Sequence, residues 1–169
     1  MNRIWKMTIL MSLIILVDQI TKGIVQSKFF LGESVPVVDG FFNFTYVKNP
    51  GAAFGFLASA SLEIRQFMFL LIPVIACLWL VTLIWKTRHE NLLLCTAYSL
   101  ILAGAVGNLI DRFSLGYVVD FLDFYYQNNH FPAFNVADSS ITIAAFLLII
   151  DFIRELKNNK KNKLEEQLD

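Results

Sequence analysis

The chain has few of the residues that build metal sites or disulfide frameworks, and no excess of the charge that builds nucleic-acid surfaces. Its 169 residues include two cysteines, Cys77 and Cys95, and two histidines, His89 and His130. Both cysteines fall inside apolar runs and lack the spacing of a zinc or redox pair, so they read as small membrane-core residues. The histidines lie far apart, with no second ligand at helical or loop spacing, which argues against a metal site. No residue pattern calls for a cofactor, and no internal repeat is present. Charge is scarce and balanced, 14 basic against 14 acidic residues and 17% in all, which gives no basic footprint for nucleic acid.

Apolar residues are abundant instead. They make up 56% of the chain, 16 of them Phe, and mean hydropathy is +0.58; soluble domains sit near 45–50% apolar and about 25% charged. The excess is concentrated in long runs, which predicts an all-α integral membrane protein forming a single domain over residues 1–169. Four transmembrane helices are expected at roughly 4–25, 67–85, 92–110 and 136–153, each close to the ~20 residues that a bilayer requires. The first run also suits a signal peptide, but no small-x-small cleavage site follows it; Asp18-Gln19-Ile20-Thr21-Lys22 does. Pro73 predicts a kink in the second span, and Gly104 and Gly107 let the third approach its neighbours closely. The charged tail, residues 157–169, is expected to be frayed or disordered.

Two segments between the spans differ in character. In residues 34–58, Phe42, Phe44 and Tyr46 alternate with Asn43 and Thr45, the period of a strand, with turn signals at Asp39-Gly40 and Asn49-Pro50-Gly51. A small open sheet cannot sit exposed in hydrocarbon, so it belongs on the water side with its aromatic face on the interface. Residues 113–135 hold Phe121, Phe124, Tyr125, Tyr126, Phe131 and Phe134, expected at the headgroup level as a belt or amphipathic lid. Nine of the 14 basic residues (Arg3, Lys6, Lys86, Arg88, Arg154, Lys157, Lys160, Lys161, Lys163) fall on one side of an in-out-in-out-in path. Lys22, Lys28, Lys48, Arg65 and Arg112 fall on the other. The bias puts both termini in the cytoplasm and gathers Asp18, Lys22, Asn49, Asn108, Asp111, Arg112, Asp120, Asn135 and Asp138 at the outer face.

Four carboxylates, Asp111, Asp120, Asp123 and Asp138, crowd between two apolar runs, and ionisable groups near the bilayer usually mark a working site. Asp111 is grouped with Arg112 at a helix end, Asp123 with water or headgroups, and Asp151 with a span boundary. Asp18 and Lys22, four apart, can pair, either to soften burial or to point a polar strip into a site. Asp138 sits in the first turn of the fourth span, where a helix dipole favours an anion. Asp120 and Asp138 facing one another could not comfortably both ionise; the ionised one could act as base on a water and the protonated one as acid. Asn108 and Asn135 are candidate orienting groups, and Arg112 could hold an anionic headgroup. On the residues alone, three readings stay open: an interfacial hydrolase, a small proton- or ion-coupled transporter using the same acids as a relay, and a structural subunit.

Five ordered blocks narrow the choice. They are Asp18-Gln19-Ile20-Thr21-Lys22, Asn49-Pro50-Gly51-Ala52-Ala53-Phe54-Gly55, Gly104-Ala105-Val106-Gly107-Asn108-Leu109-Ile110-Asp111-Arg112, Val119-Asp120-Phe121 and Phe134-Asn135-Val136-Ala137-Asp138-Ser139. Together they resemble the lipoprotein signal peptidases (signal peptidase II) of bacteria. The resemblance implies a multi-pass aspartyl endopeptidase of the bacterial cytoplasmic membrane. It would remove signal peptides from diacylglyceryl-modified prolipoproteins, cutting before the lipidated cysteine, at the extracytoplasmic face. By motif position Asp120 and Asp138 would be the catalytic dyad and Asn49 and Arg112 would contact substrate. Asp18, Lys22, Gly51, Asn108, Asp111 and Asn135 would shape the site. It also implies a β-cradle over about 35–57, a short lid helix in the aromatic loop, a monomer, contact with membrane lipids, and sensitivity to globomycin-type cyclic peptides.

Overall fold

The computed structural model describes residues 2–51, 61, 64 and 67–165. Arg65 and residues 52–57 of the expected cradle lie outside the described residues. Helix α1 (Arg3–Lys28) leads into strands β1 (Ser34–Val38) and β2 (Phe42–Asn49). A π-helical turn (Phe67–Leu71) runs into α2 (Ile72–Thr87), followed by α3 (Leu92–Leu115). Strands β3 (Val118–Tyr126) and β4 (Asn129–His130) precede the last helix, α4 (Val136–Glu165). Four helical stretches among the described residues are long and apolar enough to cross a membrane.

Local chemistry sets the helix ends. Asn2 caps α1 through its side chain, and the Asn91 carboxamide oxygen accepts from the N–H groups of Leu93 and Leu94 at the start of α3. Pro73 falls in the first turn of α2, just past the π-helical turn, where its missing N–H costs the helical ladder least. Helix α3 stops at Gly116, whose N–H bonds the Arg112 carbonyl at 3.1 Å. Asn135 and Asp138 form a capping box at the head of α4. The Asp138 N–H donates to Asn135 Oδ1 at 2.9 Å, and the Asn135 N–H donates back to Asp138 Oδ2 at 3.3 Å.

Helix α3 is the hub, packing against α1, α2 and α4, so it is the most buried of the four while the outer three turn apolar flanks outward. Met7, Leu80, Ile84, Cys95 and Leu102 join α1, α2 and α3. Ala97, Leu100 and Ala144 join α3 to α4. Close approach depends on small residues. A methyl group at Gly104 would overlap the Ala137 carbonyl oxygen of α4, and one at Gly107 would sit 2.7 Å from the Asp18 carboxylate of α1.

The four strands form one antiparallel sheet in the order β1-β2-β3-β4. Val47 pairs with Asp120 and Asn49 with Val118, beyond a bulge in β2 between Phe44 and Val47. Val25, Tyr46, Val119 and Phe121 bury the sheet against the end of α1.

Two expectations need correction. Residues 116–135 contain no helix: the stretch expected to hold a lid helix supplies β3 and β4. Its run of β-branched and aromatic residues, Val118-Val119 to Tyr125-Tyr126, suits a half-buried pleated surface, and the free edge of β2 offers the partner. The tail expected to fray is helical as far as Glu165, because its Lys, Leu and Glu residues are good helix formers and no Gly or Pro interrupts them.

Candidate active site

The polar residues named from sequence meet at one end of the bundle, where the C-terminal ends of α1 and α3, the head of α4 and the sheet converge. Lys22 is the centre of the buried part. Its Nζ lies 2.9 Å from Asp18 Oδ2 and 3.0 Å from Asp111 Oδ2, and it donates to Asn108 Oδ1 at 3.0 Å. Asp18 is fully buried, and Lys22 and Asp111 are each 2% exposed. Two carboxylates on one ammonium leave an excess of negative charge, which backbone donors offset: Ala137 N–H to Asp18 Oδ1 at 2.9 Å and Val119 N–H to Asp111 Oδ2 at 3.0 Å. Asp111, grouped with Arg112 at a helix end, lies near the end of α3 and turns inward to Lys22.

Gln19 was not singled out from the sequence, although it stands inside the first motif block. Its Nε2 donates to Asp18 Oδ2, Gly107 O and Asp111 Oδ1 at 3.2, 3.1 and 3.0 Å. It ties α1 to α3 across the gap that Gly107 leaves.

The network then dictates how the amides above it point. Lys22 can only donate, so the oxygen of Asn108 faces it, and Asn135 Nδ2 donates to the same oxygen at 3.2 Å. The Asn108 NH2 group is thereby turned to Asp138 Oδ1, 2.7 Å away. The same logic fixes Asn49. Its oxygen accepts the Gly51 N–H at 2.9 Å, so its NH2 group reaches Asp120 Oδ2 at 2.9 Å. Gly51 has φ +96°, and a side chain there would collide with the ring of Phe69.

Asn135 bridges the two acids. Its side chain donates to Asp120 Oδ1 at 2.7 Å and its backbone N–H to Asp138 Oδ2. Each oxygen of each carboxylate therefore has one donor. Asp120 and Asp138 line one cleft of about 460 Å³, together with Asn49, Pro50 and the segment Phe131–Phe134. An adjoining groove of about 410 Å³ shares Phe131, Phe134 and Asp138 and continues down α4 past Ser139, Thr142 and Ile143. Burial, with the Asp138 charge adding to it, pushes the Asp120 carboxyl up to about 7 against the opposing pull of the Asn49 hydrogen bond. The Arg112 guanidinium lies 5.8 Å over the Phe69 ring, and its Nε is buried without a hydrogen bond among the described residues. Among these residues no group of three or more His, Cys, Asp or Glu could hold a metal ion.

Asp123, expected to face water or headgroups, is buried; it accepts from Asn43 and Thr45 and contacts His130. Asp151 accepts from the capping Asn91 at 2.8 Å, away from the cleft.

Comparison with known proteins shows the family. The family profile described as signal peptidase (SPase) II matches residues 10–154. A lipoprotein signal peptidase of Syntrophus aciditrophicus (strain SB) is 48% identical over 86% of this chain and 90% of its own. One from Geobacter sulfurreducens is 45% identical over 90% of this chain and 93% of its own. A bacterial membrane enzyme solved by the in meso method at 2.3 Å resolution superposes with a TM-score of 0.80, at 35% identity, over 92% of both chains. The multi-pass membrane fold, the five motif blocks and these likenesses place the chain in the signal peptidase II family of membrane peptidases.

Proposed function

We propose that this chain removes signal peptides from diacylglyceryl-modified prolipoproteins, cutting before the lipidated cysteine, with Asp120 and Asp138 as the catalytic dyad. The observation that carries the reading is the pair of carboxylates on one cleft, bridged by Asn135 and each held by amide donors. Asp138, at the head of α4 where the helix dipole favours an anion, is the base. Asp120 holds a proton below its pKa of about 7 and is the acid.

The ionised Asp138 takes a proton from water, and the resulting hydroxide attacks the scissile carbonyl carbon as Asp120 protonates the carbonyl oxygen. As the neutral diol collapses, Asp120 recovers a proton from it and Asp138 gives its own to the leaving nitrogen. Both acids return to their starting states. Arg112 Nε, buried and without a bond among the described residues, suits a peptide or ester carbonyl of the substrate, as does Asn49. The groove running down α4 from Asp138 gives a lipid-anchored substrate a lateral way in.

The test is cleavage of a purified diacylglyceryl-modified prolipoprotein in detergent, followed by gel shift, with unmodified precursor as control. Cleavage of the modified form alone is the expected result. Proton or solute movement in liposomes without any cleavage would favour the transporter reading. The alkaline side of the pH profile has a set sign: kcat/KM declines as pH rises through about 7, because Asp120 loses the proton it must donate. Activity that rises through pH 7 would reverse the assigned roles.

The basic-residue bias supports cytoplasmic termini and a cleft at the extracytoplasmic face of a bacterial membrane. With Cys77 and Cys95 replaced by serine, a cysteine at position 128 in the β3–β4 turn should react with an impermeant thiol reagent on intact cells, and one at position 160 should not. The opposite labelling would invert the topology.

A further inference from the structure

Outside the dyad and its supporting network lie Asp123 and His130, two groups that the mechanism does not use. A hydrogen-bond chain crosses all four strands and ends on them. Ser34 Oγ of β1 lies 2.8 Å from Thr45 Oγ1 of β2, which lies 3.2 Å from Asp123 Oδ2 of β3. A carboxylate only accepts, so Thr45 donates to Asp123 and accepts from Ser34. Asn43 Nδ2 adds a donor at 3.3 Å. From β4, His130 Nδ1 lies 2.9 and 3.0 Å from the two oxygens of Asp123, so Nδ1 carries the proton in this pair. The imidazole also stacks on Tyr125, 4.9 Å between ring centroids and 10° between planes, and Tyr125 Oη accepts the Gly40 N–H from the β1–β2 turn at 2.9 Å.

This clasp sits where the backbone is least able to hold itself. Strand β4 is two residues long and pairs only through Tyr125–His130 and Tyr126–Asn129. The next four residues, Phe131–Phe134, form one wall of the cleft that holds both catalytic aspartates. Pro132 has no N–H to give. The segment is tied to β3 by Phe131 N–H to Phe124 O at 2.8 Å and, at Phe134, by a reciprocal pair with Leu122 and a further bond from Phe121 N–H. Asn135, immediately beyond, is pinned independently by its cap and by its bonds to Asp120, Asn108 and the Val119 carbonyl.

We infer that His130, acting through Asp123, is a positioning residue that fixes the Phe131–Phe134 wall against which the substrate lies. It does not take part in the proton transfers. Loosening the clasp moves the wall and leaves the dyad in place, so the cost falls on substrate binding. The inference rests on the peptidase reading for its kinetic half only.

The experiment compares the full-length wild type with H130A, H130F and H130N, using lipidated prolipoprotein as substrate. The H130F variant keeps a ring beside Tyr125 without the donor, and H130N restores a donor near the position of Nδ1. Expected are a KM at least fivefold higher in H130A and H130F with kcat within twofold, and a KM within twofold of wild type in H130N. Hydrogen exchange at the Phe131 amide should be at least tenfold faster in H130A and H130F and unchanged in H130N, with α3 and the head of α4 unaffected. Unchanged KM, a fall in kcat at constant KM, or failure of H130N to rescue would overturn the inference. If wild type cleaves nothing, the peptidase reading fails, and the exchange comparison still decides whether the clasp holds the wall.

Discussion

Asp120→Asn and Asp138→Asn should each abolish prolipoprotein cleavage, by roughly 10³-fold or more, while leaving a folded membrane protein. The loss is large because each substitution removes one of the two proton-transfer groups, and among the described residues no other acid lines the cleft. Asp120 and Asp138 are the acids lining it, and Asp18 and Asp111 are committed to Lys22. The fold should survive because an asparagine at 138 still accepts the Asn135 N–H through its oxygen, which preserves the cap of α4. Its NH2 group would face the NH2 group of Asn108 in place of a carboxylate oxygen. Losing that charge-assisted bond costs about 1.5–3 kcal/mol. Thermal unfolding in detergent should therefore show a fall of a few degrees with a single transition retained. Near-normal cleavage by either variant would remove that aspartate from the dyad.

Lys22→Met should be the most damaging single change to stability among the residues of the site. It deletes the ammonium that neutralises Asp18 and Asp111 and that donates to Asn108. Breaking a buried ion pair by removing one partner costs about 3–5 kcal/mol, because the remaining charge is left uncompensated. Here two carboxylates are stranded. Activity should fall with stability, since the Asn108 oxygen loses the donor that holds its NH2 group on Asp138. The triple variant K22M/D18N/D111N, with no charge left in the Lys22 network, should recover more than half of the lost melting temperature. If K22M melts like wild type, the network contributes nothing to the fold. If the triple variant melts no higher than K22M, packing and not charge accounts for the loss.

What could be read from the sequence follows the distance over which each feature is determined. The apolar runs became α1 to α4, and Asp18 and Lys22, four residues apart, pair as their spacing implies. The alternation of Phe42, Phe44 and Tyr46 did become a strand. The aromatic stretch after α3 was misread because strand and interfacial loop share its composition; only the free edge of β2, some seventy residues upstream, decides between them. The bulge between Phe44 and Val47 then sets which side chain meets Asp120. The partner of Asp111 is likewise not local: Arg112 is adjacent in sequence, but Lys22 is adjacent in space, and Gly107 is what allows α1 close enough. Gln19 carries little local signal, since two of its three acceptors, Gly107 O and Asp111 Oδ1, exist only once α1 lies on α3. Asp123 looked solvated because the hydroxyl, amide and imidazole groups that bury it come from β2 and β4.

The capping box at the head of α4 also bears on how such a chain is made. Asn135 and Asp138 belong to the last span, so they are synthesised after every other part of the cleft. A nascent chain that has inserted α1, α2 and α3 holds Asp120 and its Asn49 but no second acid and no bridge. Under the proposed mechanism the cleft lacks its second acid until the fourth helix winds its first turn, and the same two hydrogen bonds that start that helix fix that acid in place. Under that mechanism a chain truncated before α4 should cleave no substrate.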